Sequence, residues 1–510
     1  MNKSFCLSCE KLVPTERVDR DGKVYLVKHC PDCGDTETMI SNRADRCNAK
    51  RELDFDYDYH GCAIQCRQCN LGKAPTYAFI NLTNSCNSNC PICLDNVPAM
   101  GFRYEPPLEY FDSLFRQLSE MEEPPTIALF GGEPTVRKDL MDIVKLSKSY
   151  KLTTRIFTNG QKLADEEYTA ELIKNRAIIM MSYDGSNPET YTQLRGTPKV
   201  MELKQKAIEN IARTRRAKAI MVSVIAHGLN DHLVPELLDL CHRHRHAFRC
   251  IYLMPLAHMW KESEWDYSPN RMTTEDAEAL VNDAYPEYDI QFIPAGLLSQ
   301  FRHLTGLIDK ASSIYGGAHP NCESVYLLVS NGERWVPIDH YLRGNLHDIA
   351  RHAIRLEKQF AAREERWQHS ALGKLLGWLH LRRFALRTIA LPQLFFLIAR
   401  RVRFGRLFKG WGPVKLYNIV MAGFEKLFGK KTRTIREHRT HWQDTFQVII
   451  LPLEDNHVLE TERLERCPTV HAYLDPQTGE LKYIPVCAWR LHNGPILREL
   501  AERYPVGQPA

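Results

Sequence analysis

The sequence predicts an α/β protein built around a partial (β/α)6 TIM-like barrel, with a cysteine knuckle before it and a cysteine-bearing extension after it. Three observations carry that reading. Six β-rich runs alternate with amphipathic segments between Thr76 and Leu256, turn residues close each run, and 11 of the 16 cysteines fall before residue 94. At 510 residues, 44% hydrophobic and 25% charged with a net charge of +5, the chain is long enough for about two to four domains. Disordered, collagen-like and coiled-coil classes are excluded by that composition. No run approaches the roughly 20 apolar residues that span a bilayer, and MNKSFCLSCE lacks a basic-then-apolar leader, so a cytoplasmic location is expected. Thiols there are kept reduced, which favours metal binding over disulfides.

Residues 1–45 pair Cys6-x2-Cys9 with Cys30-x2-Cys33, and Asp21-Gly22 lies between two β-leaning stretches. This is the pattern of two metal knuckles joined by a hairpin. Four thiolates suit Zn(II) or a single rubredoxin-type iron, in a closed and therefore structural site. Residues 46–75 hold Cys47 and Cys62-x3-Cys66-x2-Cys69, a four-thiol set consistent with an auxiliary [4Fe–4S] cluster or with a second zinc.

The barrel is expected over 76–260. Its strands are TYAFINLT, TIALFGG, TTRIFTNG, AIIMMSYDG, AIMVSVIAHG and AFRCIYLMPL, with helices near 106–122, 137–149, 165–175, 200–215 and 232–243. The chemistry should sit at the C-terminal strand ends. Directly after the first strand comes Cys86-Asn-Ser-Asn-Cys90-Pro-Ile-Cys93. Three thiolates on one short loop can hold three irons of a [4Fe–4S] cluster and leave the fourth open to a substrate or cosubstrate.

This CxxxCxxC loop, followed by Gly131-Gly132-Glu133-Pro134 after the second strand, resembles the radical S-adenosylmethionine (SAM) superfamily. The resemblance implies that the open iron chelates SAM, whose reductive cleavage yields a 5′-deoxyadenosyl radical that abstracts hydrogen from a C–H bond. It also implies a flavodoxin- or ferredoxin-type electron donor. Gly131 and Gly132 would let backbone approach the methionine moiety, and Glu133 would accept from its ammonium. Asn159, Ser182, Asp184 and Arg195 match strand-end positions that help hold the nucleoside and carboxylate; turn residues and helix caps are the alternative for these four.

Over most of its length the chain is similar to tetraether lipid synthases and their bacterial membrane-spanning-lipid relatives. The matching segments include the Cys6/Cys9/Cys30/Cys33 set, CPIC, GGEPTVRKDL, DGSNPETYTQLRG, HGLND, HPNCESVYLLV and the stretch ending in IPVC. That likeness implies hydrogen abstraction from lipid alkyl chains and C–C coupling of lipid tails, with auxiliary clusters. Radical modification of a peptide and radical methylation are the alternative enzyme classes. A zinc and basic-patch nucleic-acid binder is the non-enzyme alternative, and it leaves Cys86, Cys90, Cys93 and GGEP unexplained.

The later segments divide at 261–350, 351–440 and 441–510. Cys322 precedes VYLLVSNGERWVPI, and Cys467 precedes AYLDPQTGELKYIPVC, which ends at Cys487; each reads as strand, turn, strand. Together they could supply a further cluster, with Cys250, His319 or no residue as its fourth ligand, or they could be three buried free thiols. Where the resemblance leads one to expect a cysteine, the chain has Ile293-Pro294-Ala295-Gly296. The 241–250 segment, CHRHRHAFRC, reads as a basic surface loop. Between Arg366 and Phe424 there are eleven Lys or Arg and no acid, interleaved with apolar runs. This suggests interfacial helices lying on an anionic membrane surface, peripheral to the inner membrane; an internal helical pair or an RNA surface is the alternative.

Overall fold

The computed structural model describes all residues except 55–58, 70–73, 96–99, 260–264, 266, 268, 302–315, 372–398 apart from Lys374, Trp378, Pro392, Gln393 and Phe396, 428–430 and 507–510. The N-terminal unit is an antiparallel meander of β1 (Lys3–Phe5), β2 (Leu12–Arg20), β3 (Lys23–Cys30) and β4 (Gly34–Ser41), followed by α1 (Ala44–Arg51). Asp21 and Gly22, with φ of 51° and 73°, make the β2–β3 turn with both residues left-handed, which matches the twist of the flanking strands. In β3, Val24, Leu26 and Lys28 face inward. Lys28 is tolerated there because its ammonium donates to Phe5 O at 2.9 Å and Asn456 O at 3.2 Å, which ties the knuckle to the C-terminal region.

The six expected barrel strands form in order: β5 (Tyr77–Thr83), β6 (Thr126–Gly131), β7 (Thr154–Thr158), β8 (Ile178–Ser182), β9 (Ala219–Ile225) and β10 (Phe248–Pro255). Each is parallel to its neighbours. Every residue of β5 is buried, as a parallel strand covered on both faces requires. The crossovers are α2 (Leu108–Ser119), α3 (Leu140–Ser149), α4 (Glu166–Lys174), α5 (Pro188–Arg195) with α6 (Val200–Arg213), and α7 (Val234–Arg243). In α2, Tyr110, Phe111, Leu114, Phe115 and Leu118 recur at the three- and four-residue spacing that turns one helical face onto the sheet.

The late segments join the same sheet. After α8 (Thr274–Asp283) come β11 (Ile293–Pro294), β12 (Ser324–Ser330) and β13 (Trp335–Pro337); β14 (Asp444–Ile450) pairs parallel to β10, and β12 pairs antiparallel to β14. On the other edge β15 (Thr469–Leu474) pairs parallel to β5 and carries β16 (Leu481–Pro485). Both edges of the six-stranded core are thereby covered, giving a 12-stranded sheet. Both strand–turn–strand readings of the late segments hold: β12–β13 and β15–β16 are antiparallel hairpins.

The basic segment contains α9 (Leu346–His369), α10 (Gly412–Leu427) and α11 (Thr432–Arg439); the chain closes with α12 (Trp489–Arg503). The apolar run Thr388–Ala399 lies largely outside the described residues. Among the described residues, no helix is long and apolar enough to cross a membrane.

Candidate active site and thiol centres

A cavity of about 280 Å³ occupies the barrel lumen. Cys86, Cys90 and Cys93 line it, together with Gly131, Gly132, Glu133, Asn159, Ser182 and Arg195, so nine of the ten residues expected at the cysteine loop and its cosubstrate share one chamber. The rest of the wall is mainly Phe79, Phe130, Phe157, Met180, Val222, Tyr252, Met254, Leu451, Leu453 and Trp489.

Each element holds its residue for a local reason. The cysteine loop leaves β5, and the GGEP turn leaves β6 beside it. Gly132 N–H donates to Thr83 O at 2.7 Å and Glu133 N–H to Ser85 O at 2.9 Å, which fastens the turn to the loop. A Cβ on Gly131 would stand 2.4 Å from Thr83 O, and one on Gly132 2.2 Å from Ser85 O. The glycines are therefore required by the contact between two protein segments, which adds to the sequence expectation of close approach to a ligand.

Glu133 is almost fully enclosed. Its Oε1 accepts from Thr135 N at 3.0 Å, Thr135 Oγ1 at 2.6 Å and Thr158 Oγ1 at 2.8 Å, and Oε2 accepts from Asn159 N at 2.7 Å. Oε2 keeps room for another donor, such as an ammonium. The Asn159 side chain donates to Asn87 Oδ1 at 2.7 Å, bracing the cysteine loop from the third strand.

Asp184 is the exception among the ten. It is fully buried and absent from the cavity wall; its carboxylate accepts from Arg195 Nε at 2.8 Å, Arg195 Nη2 at 2.9 Å and Val224 N at 3.0 Å. It therefore stands behind Arg195 rather than on the wall where a direct hold on the nucleoside or carboxylate was expected. It aims Arg195, whose guanidinium reaches Cys90. Although burial opposes the charged form, Arg195 and Lys204 hold the Asp184 carboxyl below the usual carboxylate range.

Lys204 was not anticipated. It is fully buried, donates to Ser182 O and Ser182 Oγ at 2.7 Å each, and burial brings its ammonium down to about 8. A signal existed in the sequence: Lys204 shares the apolar face of α6 with Val200, Ala207, Ile208 and Ile211. Asp95, His471 and Trp489 are further cavity residues that spacing did not reveal.

The donor sets fit the groups expected of them to different degrees. The sulfurs of Cys6, Cys9, Cys30 and Cys33 lie within 4.8 Å of one another, with Cys9 and Cys30 at 3.7 Å, a spacing suited to one tetrahedral ion. Backbone N–H groups of Cys9 and Ser8 bring the Cys6 thiol down to about 6, as a thiolate ligand needs. At the lumen loop, burial pushes the Cys86 thiol up to about 12, so a cationic centre is what would stabilise a thiolate there. A cluster held by Cys86, Cys90 and Cys93 would supply the electron for reductive cleavage and an open coordination position facing the chamber.

The 47/62/66/69 set is corrected. Cys69 lies close enough to raise the thiols of Cys62 and Cys66, but Cys47 stands apart, its Sγ accepting from Arg17 Nη2 at 3.0 Å and Asn321 Nδ2 at 3.3 Å. Sequence order suggested the grouping, whereas α1 packs Cys47 between the knuckle and the barrel.

Cys322, Cys467 and Cys487 do converge. Burial raises all three thiols, and the charge of each neighbour raises Cys467 and Cys487 further. Arg463 lies beside Cys322 and Cys487, and Glu454 N–H donates to Cys487 Sγ at 3.5 Å. Of the two expected fourth ligands, Cys250 sits in an apolar cluster with Met180, Ile220 and Val222 against which Cys322 also packs, whereas His319 has its ring engaged, meeting Arg51 at 3.1 Å through Nε2 and accepting from Asn321 N at 3.2 Å through Nδ1. The surface-loop reading of 241–250 is corrected at its ends, because Cys241 and Cys250 are both buried core residues.

Comparison with known proteins gives this geometry a family. Residues 80–241 match the radical SAM superfamily, and residues 1–42 match the N-terminal zinc ribbon domain named for HMPTM. The chain is 28% identical over 356 residues to the 7,8-dihydro-6-hydroxymethylpterin dimethyltransferase of Methanocaldococcus jannaschii, covering 66% of this chain and 70% of that protein. It is 25% identical to the PqqA peptide cyclase of Rhizobium meliloti, covering 44% of this chain and 61% of that one. It is 29% identical to a GTP 3',8-cyclase of Nautilia profundicola, covering 35% and 56%. Among solved structures it resembles Streptococcus suis SuiB bound to S-adenosylmethionine at a TM-score of 0.35 and 18% identity, covering 42% of this chain and 49% of that one. The three named sequences are a methyltransferase and two cyclases rather than lipid synthases. Residues 80–241 thus form a radical SAM superfamily domain, which implies a [4Fe–4S] cluster and SAM, and residues 1–42 form a zinc-ribbon module before it.

Proposed function

We propose that the enzyme abstracts hydrogen from unactivated alkyl chains of a lipid and couples two lipid tails through a C–C bond. The observation that carries this reading is the lumen itself. The three-thiol loop opens onto a chamber walled mainly by Phe, Met, Val, Leu and Trp, and Cys487 of the late thiol set lines the same chamber. An alkyl segment enters such a space with a gain of about 0.8 kcal/mol per buried methylene. The SAM-contacting set would be Gly131, Gly132, Glu133, Asn159, Ser182 and Arg195, with Asp184 positioning Arg195.

Coupling two saturated carbons removes two hydrogen atoms, one of which the SAM-derived radical can take. The other must leave as a proton and an electron, or to a second radical. The Cys322/Cys467/Cys487 group beside the chamber is suited to hold an auxiliary cluster that accepts an electron. Cys62, Cys66 and Cys69 would hold another.

A lipid substrate must also be reached. Helix α10 exposes Leu416, Val420 and Phe424, four residues apart along one face and each more than half exposed, with Trp411 beside them and Lys409 and Lys415 nearby. Such a face suits peripheral binding to an anionic membrane, where each basic residue near the surface adds about 1 kcal/mol. Methyl transfer is the second reading, favoured by the likeness to the dimethyltransferase over 66% of the chain.

The test is anaerobic turnover of the reconstituted enzyme with dithionite, SAM and extracted membrane lipids, read by mass spectrometry. A lipid dimer mass short of two hydrogens is expected. A gain of one methylene per lipid would replace coupling with methylation, and 5′-deoxyadenosine formation that never responds to lipid would contradict both.

A further inference from the structure

Several polar side chains line the lumen outside the cysteine loop, the expected SAM set and the late thiols, among them Asp95, Glu323, Arg490 and His471. His471, on β15, lines the chamber. Its ring stacks on Trp489 at 4.4 Å between centroids and 3° between planes, and Phe79 and Phe130 stand at 5.3 Å and 5.8 Å. Three aromatic contacts fix the plane of the imidazole, and a hydrogen bond fixes its rotation.

That bond also sets the tautomer. Asn81 Nδ2 donates to Asp95 Oδ2 at 3.1 Å, so the Asn81 oxygen is the atom that faces His471 Nδ1 at 2.8 Å. An oxygen can only accept there, which places the proton on Nδ1. Burial keeps the imidazole neutral. Nε2 is left as a bare lone pair, and among the described residues no protein group donates to it. On the cavity wall, that acceptor is available to a donor held in the chamber.

We propose that His471 is a specificity-determining residue, whose Nε2 accepts a hydrogen bond from an O–H group that the substrate carries beside the alkyl segment presented to the cysteine loop. The proposal rests on the lipid reading and narrows it: the substrate is a lipid with a free hydroxyl near its chain, and a fully capped lipid is discriminated against. The Asp95–Asn81–His471 chain holds the acceptor in place, and Trp489 provides the flat surface against which the neck of the lipid lies.

The test compares two amphiphiles on the reconstituted holoenzyme under anaerobic conditions with SAM present, hexadecyl glycerol and its di-O-methyl ether, by equilibrium binding. The wild type should bind the free hydroxyl form about three- to tenfold more tightly, the worth of one hydrogen bond to a neutral acceptor. His471→Asn keeps a donor toward Asn81 and removes the Nε2 acceptor, so it should bind both amphiphiles alike while retaining wild-type iron content and SAM binding. His471→Gln returns an oxygen near the Nε2 position and should recover part of the preference. Equal binding of both amphiphiles by the wild type overturns the proposal and leaves the lipid reading standing, as does a preference that survives in His471→Asn. Binding of neither amphiphile overturns the lipid reading and the proposal with it. If His471→Asn does not fold, the wild-type comparison decides alone.

Discussion

The N-terminal knuckle and the lumen loop are both built from cysteines, yet they are opposite devices. In the knuckle, two tight turns carry two thiols each, and a hairpin brings the pairs together until all four sulfurs lie within 4.8 Å. The site is complete in itself. In the lumen, one loop carries three thiols, and the space where a fourth would stand is continuous with a chamber of about 280 Å³. Its completeness depends on what enters. The number of thiols matters less than what faces them: backbone N–H groups at the knuckle, and Arg195, Glu133 and an apolar cavity at the loop.

The largest expected effect falls on the open site. Cys93→Ser should abolish SAM cleavage, by more than about a thousandfold, because members of a catalytic unit fail together. Zinc or iron at the knuckle should be unchanged in that variant, as metal analysis would show. The converse change separates the two sites: Cys30→Ser should lose the knuckle metal and melt the β1–β4 sheet. A structural zinc is worth about 10–16 kcal/mol of apparent binding energy in isolated fingers, so a loss of this kind should appear as a low-temperature unfolding step. The lumen should still bind SAM, and loss of both functions together would contradict the division.

Smaller effects concern how the lumen is held. Asp184→Asn leaves Arg195 buried without its counter-ion and should cost about 3–5 kcal/mol in a denaturation experiment. It should also change the acid limb of stability. The folded carboxyl is held below its ordinary value, so its contribution is fully present above about pH 3.9 and is lost only as the pH falls through the lower folded value. The wild type should therefore outlast the variant most clearly at neutral pH, with the gap closing in strong acid. Gly131→Ala has the least effect on the protein as a whole. Its backbone sits at φ +125° and the new Cβ would meet Thr83 O, so about 1–3 kcal/mol of strain should appear as a lowered melting curve together with weaker SAM binding.

Much of this was legible in the sequence, for identifiable reasons. The six barrel strands carry period and turn signals in every repeat, and the GGEP and CxxxCxxC segments sit where strand ends must be. The knuckle was legible because two short spacings and a DG turn determine its geometry locally. The placement of Cys47 was not, since its partners Arg17 and Asn321 come from segments 30 and 274 residues away. Nor was the fact that β14 and β15 flank β10 and β5, because pairing at a sheet edge leaves no mark in the composition of a strand. Asp184 was legible as a residue but not in its placement, because its pairing with Arg195 depends on how the end of α5 packs against the strand ends. Lys204 and His471 escaped because a single polar residue in an apolar stripe is usually a tolerated exception, and only the packing shows that each has been given a partner or a purpose.

Everything proposed for the lumen turns on whether it delivers a SAM-derived radical to a lipid alkyl chain. Anaerobic turnover with a lipid deuterated throughout its alkyl chains, followed by mass analysis of the 5′-deoxyadenosine formed, decides this. The 5′-deoxyadenosine should carry deuterium when lipid is present, and formation of coupled product should slow on deuteration. If 5′-deoxyadenosine accumulates at the same rate without any deuterium, the alkyl chain is not the hydrogen donor and the lipid reading is wrong.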